Sequence, residues 1–372
     1  MNRKRYILGG FLLCLFLLIY RCEFQPPLKI VPDDSDSPLY HFFVNHMLDA
    51  SGGVYTNLRD DHPIVADVAK NHAYLSESTG LLLLYAVNKQ KKDLFDQQVQ
   101  FLNKHLLMKE SIIRWMIDPA RKLEAESNAS IDDLRIIRGL LLGYRLWGET
   151  SHLHQALALA EGVKKWNLRE DFCLVDFYHT VDNERTSRTT ISYLDLYTMK
   201  LLSADDPVWE EVYQHSLQLI ENARLASGLY RKTFDYQQNQ WLPQQEVNLI
   251  DSLYTSLHLW EAGIDDDKTV SFIKKQWEQQ ERLVGIYSPE GQPMAAFESP
   301  AVYGLALRIL EKTEEKQLIK EIAERLYLLQ VQDSHSPYYG GFVDLQEKDA
   351  FSFDQLQVLL AESEGIWDDK QK

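Results

Sequence analysis

From about residue 39 onward, apolar side chains recur every three or four positions, the spacing that places them on one face of an α-helix. This spacing predicts helices near 39–49, 63–88, 92–108, 131–147, 151–165, 191–203, 206–225, 247–262, 266–281, 299–312, 314–331 and 352–362. In one of them Ile131, Leu134, Ile137, Leu141 and Tyr144 form a single apolar stripe. Ser130 and Asp133 read as a capping box at its start. Several joints are punctuated by Gly148, Pro207, Gly228, Gly263, Gly291 and Pro300. Strand-like alternation is scarce, with Leu174–His179 and Gly341–Leu345 the short candidates.

Twelve helices joined by short loops predict an all-α body, a closed (α/α)6 barrel of six helical hairpins. An open helical solenoid is the rival architecture, disfavoured because no motif repeats at a fixed period. No linker-like stretch interrupts the body, so residues 39–372 are expected to form one domain.

The first residues follow another pattern. Arg3, Lys4 and Arg5 precede an uncharged, mostly Leu, Ile and Phe run from Tyr6 to Tyr20. As a helix that run would measure about 22 Å, against roughly 30 Å of bilayer hydrocarbon. Ile19-Tyr20-Arg21-Cys22 offers no small-residue cleavage or lipidation signal. Residues 1–22 are therefore expected to act as an uncleaved signal anchor, a cleaved signal peptide being the alternative. Either way the body would lie outside the cytoplasmic membrane, because the basic end stays inside. Residues 23–38, with four Pro and three Asp, read as an extended tether.

Composition narrows the chemistry. Lys plus Arg is 39 and Asp plus Glu is 55, a net charge of −16. Without the four basic residues of 1–22 the body carries −20. Such a surface repels phosphate backbones and excludes nucleic acid as an expected partner. Three scattered Cys and eleven scattered His show no metal spacing, and neither a metal nor a cofactor is expected. There is no phosphate-cradling glycine loop, nucleophile elbow or HExxH. What remains is carboxylates among aromatics, the equipment of glycoside hydrolysis.

Three segments place a carboxylate where a polar stretch enters an apolar helix. In Ser76-Glu77-Ser78-Thr79-Gly80-Leu81, Glu77 suits a general acid if an apolar wall raises its pKa. Taken alone it also suits a first-turn acid that complements the helix dipole. In Asn128-Ala129-Ser130-Ile131-Asp132-Asp133-Leu134, Asp133 reads as the capping-box acid and Asp132 as an ordinary first-turn acid. In Ile250-Asp251-Ser252-Leu253-Tyr254, Asp251 alone reads as an N-cap.

Together these segments resemble glycoside hydrolase family 8, the family of bacterial endoglucanases, chitosanases and related enzymes. Ser76-Glu77-Ser78-Thr79-Gly80 is similar to its Ser-Glu-Gly motif. Ala129-Ser130-Ile131-Asp132-Asp133-Leu134, running to Trp147-Gly148, is similar to its Ala-Thr-Asp-x-Asp-Leu helix. Arg114-Trp115, Ser192-Tyr193, Asp206, Trp209, Ser227-Gly228-Leu229 and Asp251 through Gly263 continue the likeness in order, over residues 40–362. Three positions depart from the pattern. Ile131 replaces the first Asp of the helix motif, Tyr254 stands where an Arg follows the base, and Ser78 replaces a Gly.

The resemblance implies an inverting endo-glycosidase with Glu77 as general acid and Asp251 as base. It further implies Asp133 as a contact to the sugar, Trp115 as a stacking platform and Tyr193 as a partner of the water or the base. Trp147 and Trp241 are weaker platforms. The expected partner is a polysaccharide, a β-linked exopolysaccharide or glucan. The N-terminal segment would bind the membrane, an arrangement found beside exopolysaccharide synthesis complexes. The rivals are an (α/α)6 uronide hydrolase or lyase, and a non-catalytic glycan-binding scaffold.

Overall fold

The computed structural model describes residues 30–63 and 69–365. Twelve α-helices lie among them: α1 (Pro38–His46), α2 (Ser76–Asn88), α3 (Lys92–Phe101), α4 (Ser130–Trp147), α5 (Thr150–Trp166), α6 (Leu196–Leu202), α7 (Val208–Ala223), α8 (Leu249–Glu261), α9 (Asp267–Gln280), α10 (Pro300–Leu310), α11 (Lys316–Tyr327) and α12 (Ser352–Ser363). The even-numbered helices form an inner ring: each packs on the next, and α12 packs back on α2. The odd-numbered helices lie outside, α3 on α2, α5 on α4, α7 on α6, α11 on α10 and α1 on α12, with α9 between α8 and α10. The chain is an (α/α)6 barrel.

Burial explains which helices are inner. In α10 every residue from Ala301 to Leu310 is buried, and in α2 so are Leu81 to Ala86. An outer helix such as α11 buries only Ile322, Ala323 and Leu326 and leaves its polar face to solvent. Glycines let the inner helices approach closely. A Cβ on Gly80 would stand 3.1 Å from the Arg135 side-chain stem, one on Gly139 2.8 Å from Leu83, and one on Gly143 2.3 Å from the Phe95 ring.

Because inner and outer helices alternate along the chain, all inner helices run the same way. Every outer-to-inner connection therefore returns at one end, and these connections carry the strands. There β1 (Tyr74–Leu75) pairs with β2 (Met116–Asp118) and β2 with β3 (Leu123–Glu124). β4 (Tyr178–His179) pairs with β5 (Glu184–Arg185). β6 (Arg188–Thr190), β7 (Thr233–Asp235) and β8 (Gln240–Trp241) form a three-stranded sheet, and β9 (Val247–Asn248) pairs with β10 (Ile286–Tyr287). At the opposite, basal end Ser37 Oγ donates to Glu362 at 2.7 Å, and Lys91 meets Asp36 at 2.6 Å. The chain thus enters the barrel at its base.

The structure corrects several boundaries. No helix precedes Ser76 in the described part of 63–88: Asn71 has φ +62° and Tyr74–Leu75 is a strand. Beyond Phe101 the helix widens into one π turn over Leu102–Leu106. The predicted 191–203 helix divides into a 3-10 turn, Ile191–Tyr193, and α6, which Asp195 caps through the Thr198 amide. Of Leu174–His179 only the last two residues are a strand, and Gly341–Leu345 forms none, its trace being an isolated bridge between Asp344 and Asp349. The Ser130–Asp133 capping box is absent: the Ser130 hydroxyl is unpartnered and Asp133 bonds elsewhere. The signal anchor at 1–22 lies outside the described residues. Among the described residues no helix is long and apolar enough to cross a membrane.

Candidate active site

The six inner helices present their N-terminal turns, and the hairpins between them, on one face. Glu77 stands in the first turn of α2, half-buried. Burial raises its carboxyl to about 7; the charge of Asp132 adds to that, and Arg135 opposes it. No hydrogen bond reaches this carboxyl from the described residues. A half-buried acid with free oxygens and a raised pKa can still hold a proton near neutrality and give it to a substrate oxygen.

Adjacent acids in the first turn of α4 have different fates. Asp133 is fully buried; its Oδ1 accepts the Ile113 amide at 2.8 Å and its Oδ2 accepts Asn128 Nδ2 at 2.8 Å. It therefore ties the loop before α4 to the helix and offers nothing to a sugar at the open face. The neighbouring Asp132 turns toward Glu77. Its Oδ2 accepts Ser76 Oγ at 2.6 Å and its Oδ1 accepts Arg135 Nη1 at 3.0 Å. Burial raises the Asp132 carboxyl against the pull of Arg135 and Ser76. Of the two acids of this segment, the one beside Glu77 is Asp132, one residue before the expected Asp133.

The Arg135 guanidinium, also buried, lies over the Tyr254 ring at 5.5 Å. Tyr254, which replaces an Arg in the sequence pattern, accepts from Gln357 Nε2 through its hydroxyl. A cation therefore does reach this part of the site, but from α4 rather than from α8.

Asp251 stands in the first turn of α8, after the true N-cap Asn248, which accepts the Ile250 amide. Its Oδ1 accepts Ser192 Oγ at 3.0 Å and its Oδ2 meets Lys232 Nζ at 2.9 Å. A carboxylate has about four lone-pair sites, so two remain for a water. Tyr193, half-buried in the same turn as Ser192, has its phenol raised by burial and then by Asp132, Asp176, Glu77 and Asp251 in turn. Tyr193 therefore sits amid the acids of the site.

Sequence reasoning missed Asp176 and Lys232. Asp176 accepts the Thr190 amide at 2.6 Å and its hydroxyl at 2.8 Å. Burial raises its carboxyl to about 6. Asp176 falls within the strand candidate Leu174–His179 and Lys232 within a loop, and neither belongs to a motif.

Of the aromatic candidates, Trp115 is half-buried, and its carbonyl accepts the Ser76 amide at 3.0 Å beside Glu77. Trp147 belongs to the basal end of α4, packed on Phe95 at 4.7 Å, and cannot face this site. Trp241 lies in β8, edge-on to Phe234 at 5.2 Å. Two groups among the described residues have metal-like proximity, Asp96–Glu149–His152 and Asp195–His258–Glu261. Side-chain cations already neutralise both: Lys92 in the first, Arg138 and Arg308 in the second.

Comparison with known proteins places this arrangement among relatives. The family profile described as glycosyl hydrolases family 8 matches residues 56–258. A Bacillus subtilis protein described as "Putative lipoprotein YdaJ" is 31% identical over 313 residues, 83% of this chain and 84% of that one. A solved structure described as a novel alpha-amylase from Clostridium perfringens is 32% identical, with TM-score 0.81 over 90% of this chain and 99% of its own. PssZ from Listeria monocytogenes is 21% identical, with TM-score 0.69 over 91% and 98%. Cel10, a family 8 endoglucanase from Klebsiella pneumoniae, shares the fold at 13% identity, with TM-score 0.64 over 88% and 99%.

Proposed function

The chain belongs to glycosyl hydrolases family 8 and is a glycoside hydrolase; from that premise we propose that it cleaves a polysaccharide internally, by inversion, outside the cytoplasmic membrane. Glu77 protonates the glycosidic oxygen. Asp251 takes a proton from a water that attacks the opposite face of the sugar. Inversion requires about 6.5–9.5 Å between the two carboxyls, with room for that water. The observation that carries the reading is the contrast between the two acids. Glu77 is raised to about 7 with no hydrogen-bond partner, whereas Asp251 is held by Ser192 and paired with Lys232. Environments that separate two carboxylates in this way assign one as acid and the other as base.

Asp132, rather than Asp133, meets the sugar beside Glu77, and Asp176 offers a second polar contact beside Asp251. Trp115 stacks on a sugar ring, a contact that suits its half-buried indole. Tyr193 holds the attacking water between the two sides.

The substrate is a bacterial exopolysaccharide or glucan with β-linkages. An α-linked glucan is the second reading, favoured by the 32% identity to the protein described as an alpha-amylase. The N-terminal segment attaches the body to the membrane, beside a polysaccharide-synthesis complex, and the relative described as a lipoprotein supports that address.

The test uses the full chain with Glu77→Gln and Asp251→Asn on soluble starch, mixed-linkage β-glucan and purified bacterial exopolysaccharides. New reducing ends with an early fall in viscosity, lost in both variants, are expected. The first product anomer, followed by proton NMR, should be inverted. Retention of configuration, or full activity in either variant, overturns the assignment.

A further inference from the structure

Beneath Asp251, on the same face of α8 and two turns further, lies His258, 3% exposed. Its Nε2 stands 3.2 Å from the carbonyl oxygen of Ser192. A carbonyl only accepts, so Nε2 carries the hydrogen and donates. Ser192 in turn donates its hydroxyl to Asp251 Oδ1 at 3.0 Å. The short turn Ile191–Tyr193 is thus clamped by one helix at two heights, by Asp251 above and His258 below.

The other nitrogen of His258 is a buried atom that makes no hydrogen bond among the described residues. It stands 3.9 Å from an Asp195 oxygen and 3.8 Å from a Glu261 oxygen. Those acids are fixed in turn. Glu261 takes both guanidinium nitrogens of Arg138 at 2.6 and 2.8 Å and meets Arg308 at 3.3 Å. Asp195 caps α6 through the Thr198 amide at 3.0 Å. His258 therefore bonds the turn that holds Asp251 and also borders the barrel's buried ionic cluster.

We infer that His258 is a positioning residue for hydrolysis: through the Ser192 carbonyl it fixes the turn that holds the Asp251 carboxylate and presents Tyr193. The inference rests on the assignment of Asp251 as base. Without the clamp the turn can slide relative to α8, and misplacement of a reacting group by about 1 Å costs on the order of 100-fold in rate. Substrate binding along the rest of the cleft would be untouched.

The experiment compares His258→Leu, His258→Gln, Ser192→Ala, the His258→Leu/Ser192→Ala double variant, Arg308→Met and Asp251→Asn in the full chain. The substrate is whichever polymer of the panel above the unaltered protein cuts. His258→Leu is expected to lower kcat by about 10- to 100-fold with KM unchanged. His258→Gln, whose amide can donate to the same carbonyl, should recover most of it. The double variant should be no worse than its worse parent, because both changes break one connection. Arg308→Met disturbs the same cluster without touching Ser192, so it should lower Tm and spare kcat.

An unchanged kcat in His258→Leu, or an equal kcat loss in Arg308→Met, overturns the inference. Should His258→Leu fail to fold, His258→Asn, too short to reach Ser192, takes its place with the same expectation. Full activity in Asp251→Asn would remove the base assignment, and this inference with it. Loss there beside an active His258→Leu would remove this inference alone. A crystal structure of His258→Leu decides independently of any substrate: the Ser192–Asp251 bond should be lost, and its retention at 3.0 Å overturns the proposal.

Discussion

Half-buried Glu77 and the buried Asp132 and Arg135 form a trio in which two acids share one neighbouring cation. Glu77 is raised to about 7, so it is protonated at lower pH and loses its proton as pH rises through 7. A general acid must carry its proton, so kcat of the unaltered protein should fall on the alkaline side of about pH 7. Glu77→Gln should lower kcat by about 10²–10⁴-fold, the usual worth of such a proton donor. Asp132 is the largest charge raising Glu77. Asp132→Asn should therefore move the alkaline limb of the pH–rate profile to lower pH, and a limb that stays in place would deny the coupling.

Glu362, at the base, is also raised to about 7 by burial, against the Ser37 hydroxyl and the charge of Lys89. The native state there holds a proton that the unfolded chain releases above its own, lower pKa. Stability from this group is thus present at low pH and is lost as pH rises from about 4.5 to about 7. Glu362→Gln, which can still accept from Ser37, should raise Tm at pH 8 and leave it unchanged at pH 4, as differential scanning calorimetry would read.

How much of the site the sequence discloses also differs residue by residue. Glu77 and Asp251 stand out as candidates through the motif likeness, not through periodicity, because a first-turn acid looks the same whether it caps or catalyses. That Asp132 lies beside Glu77, and not the expected Asp133, has a physical reason. Consecutive helix positions point about 100° apart, and the partners that claim Asp133, Asn128 and the Ile113 amide, come from loops. Lys232 meets Asp251, and Asp176 comes near enough to feel its charge, only through the folding of hairpins distant in sequence.

At the scale of elements, the helices were legible and the strands were not. Five of the six inner helices carry their signal in eleven or more residues, and only α6, with seven, is short. The strands here are two or three residues long, held by partners far along the chain, such as Tyr74 opposite Ile117. The glycines of α2 and α4 carry information that periodicity does not, since they mark where helices touch. Gly143→Ala should cost about 1–3 kcal/mol by overpacking against the fully buried Phe95. Gly148 has open space but φ +76°, so Gly148→Ala should cost strain rather than contact. Urea unfolding of the two variants would separate these cases: a compensating change at Phe95 to Leu should rescue the first and not the second.

For the whole molecule, closure of the ring depends on a pairing between its two ends. α12 packs on α2, and α1, from the start of the described chain, covers α12 with Leu39, Tyr40, Phe42 and Phe43 buried. Removing residues 30–47 should therefore lower Tm and expose the seam to protease, with cleavage appearing first near α12. Closure was legible only as a count of twelve helices; the partner of the last hairpin is set by geometry that a linear pattern does not contain.

The entry of the chain at the base has a topographic consequence. If residues 1–22 hold the bilayer and the barrel rests with its base on it, the catalytic face points away from the cell. The stand-off is at least the height of an inner helix, about 27 Å for the 18 residues of α4. Polymer threading out at the membrane surface would pass below the reach of Glu77. Polymer already one barrel-height into the surrounding layer would meet it. Were the proposed exopolysaccharide its substrate, the fold would then act as a depth gauge, sparing the nascent strand and trimming the exported one.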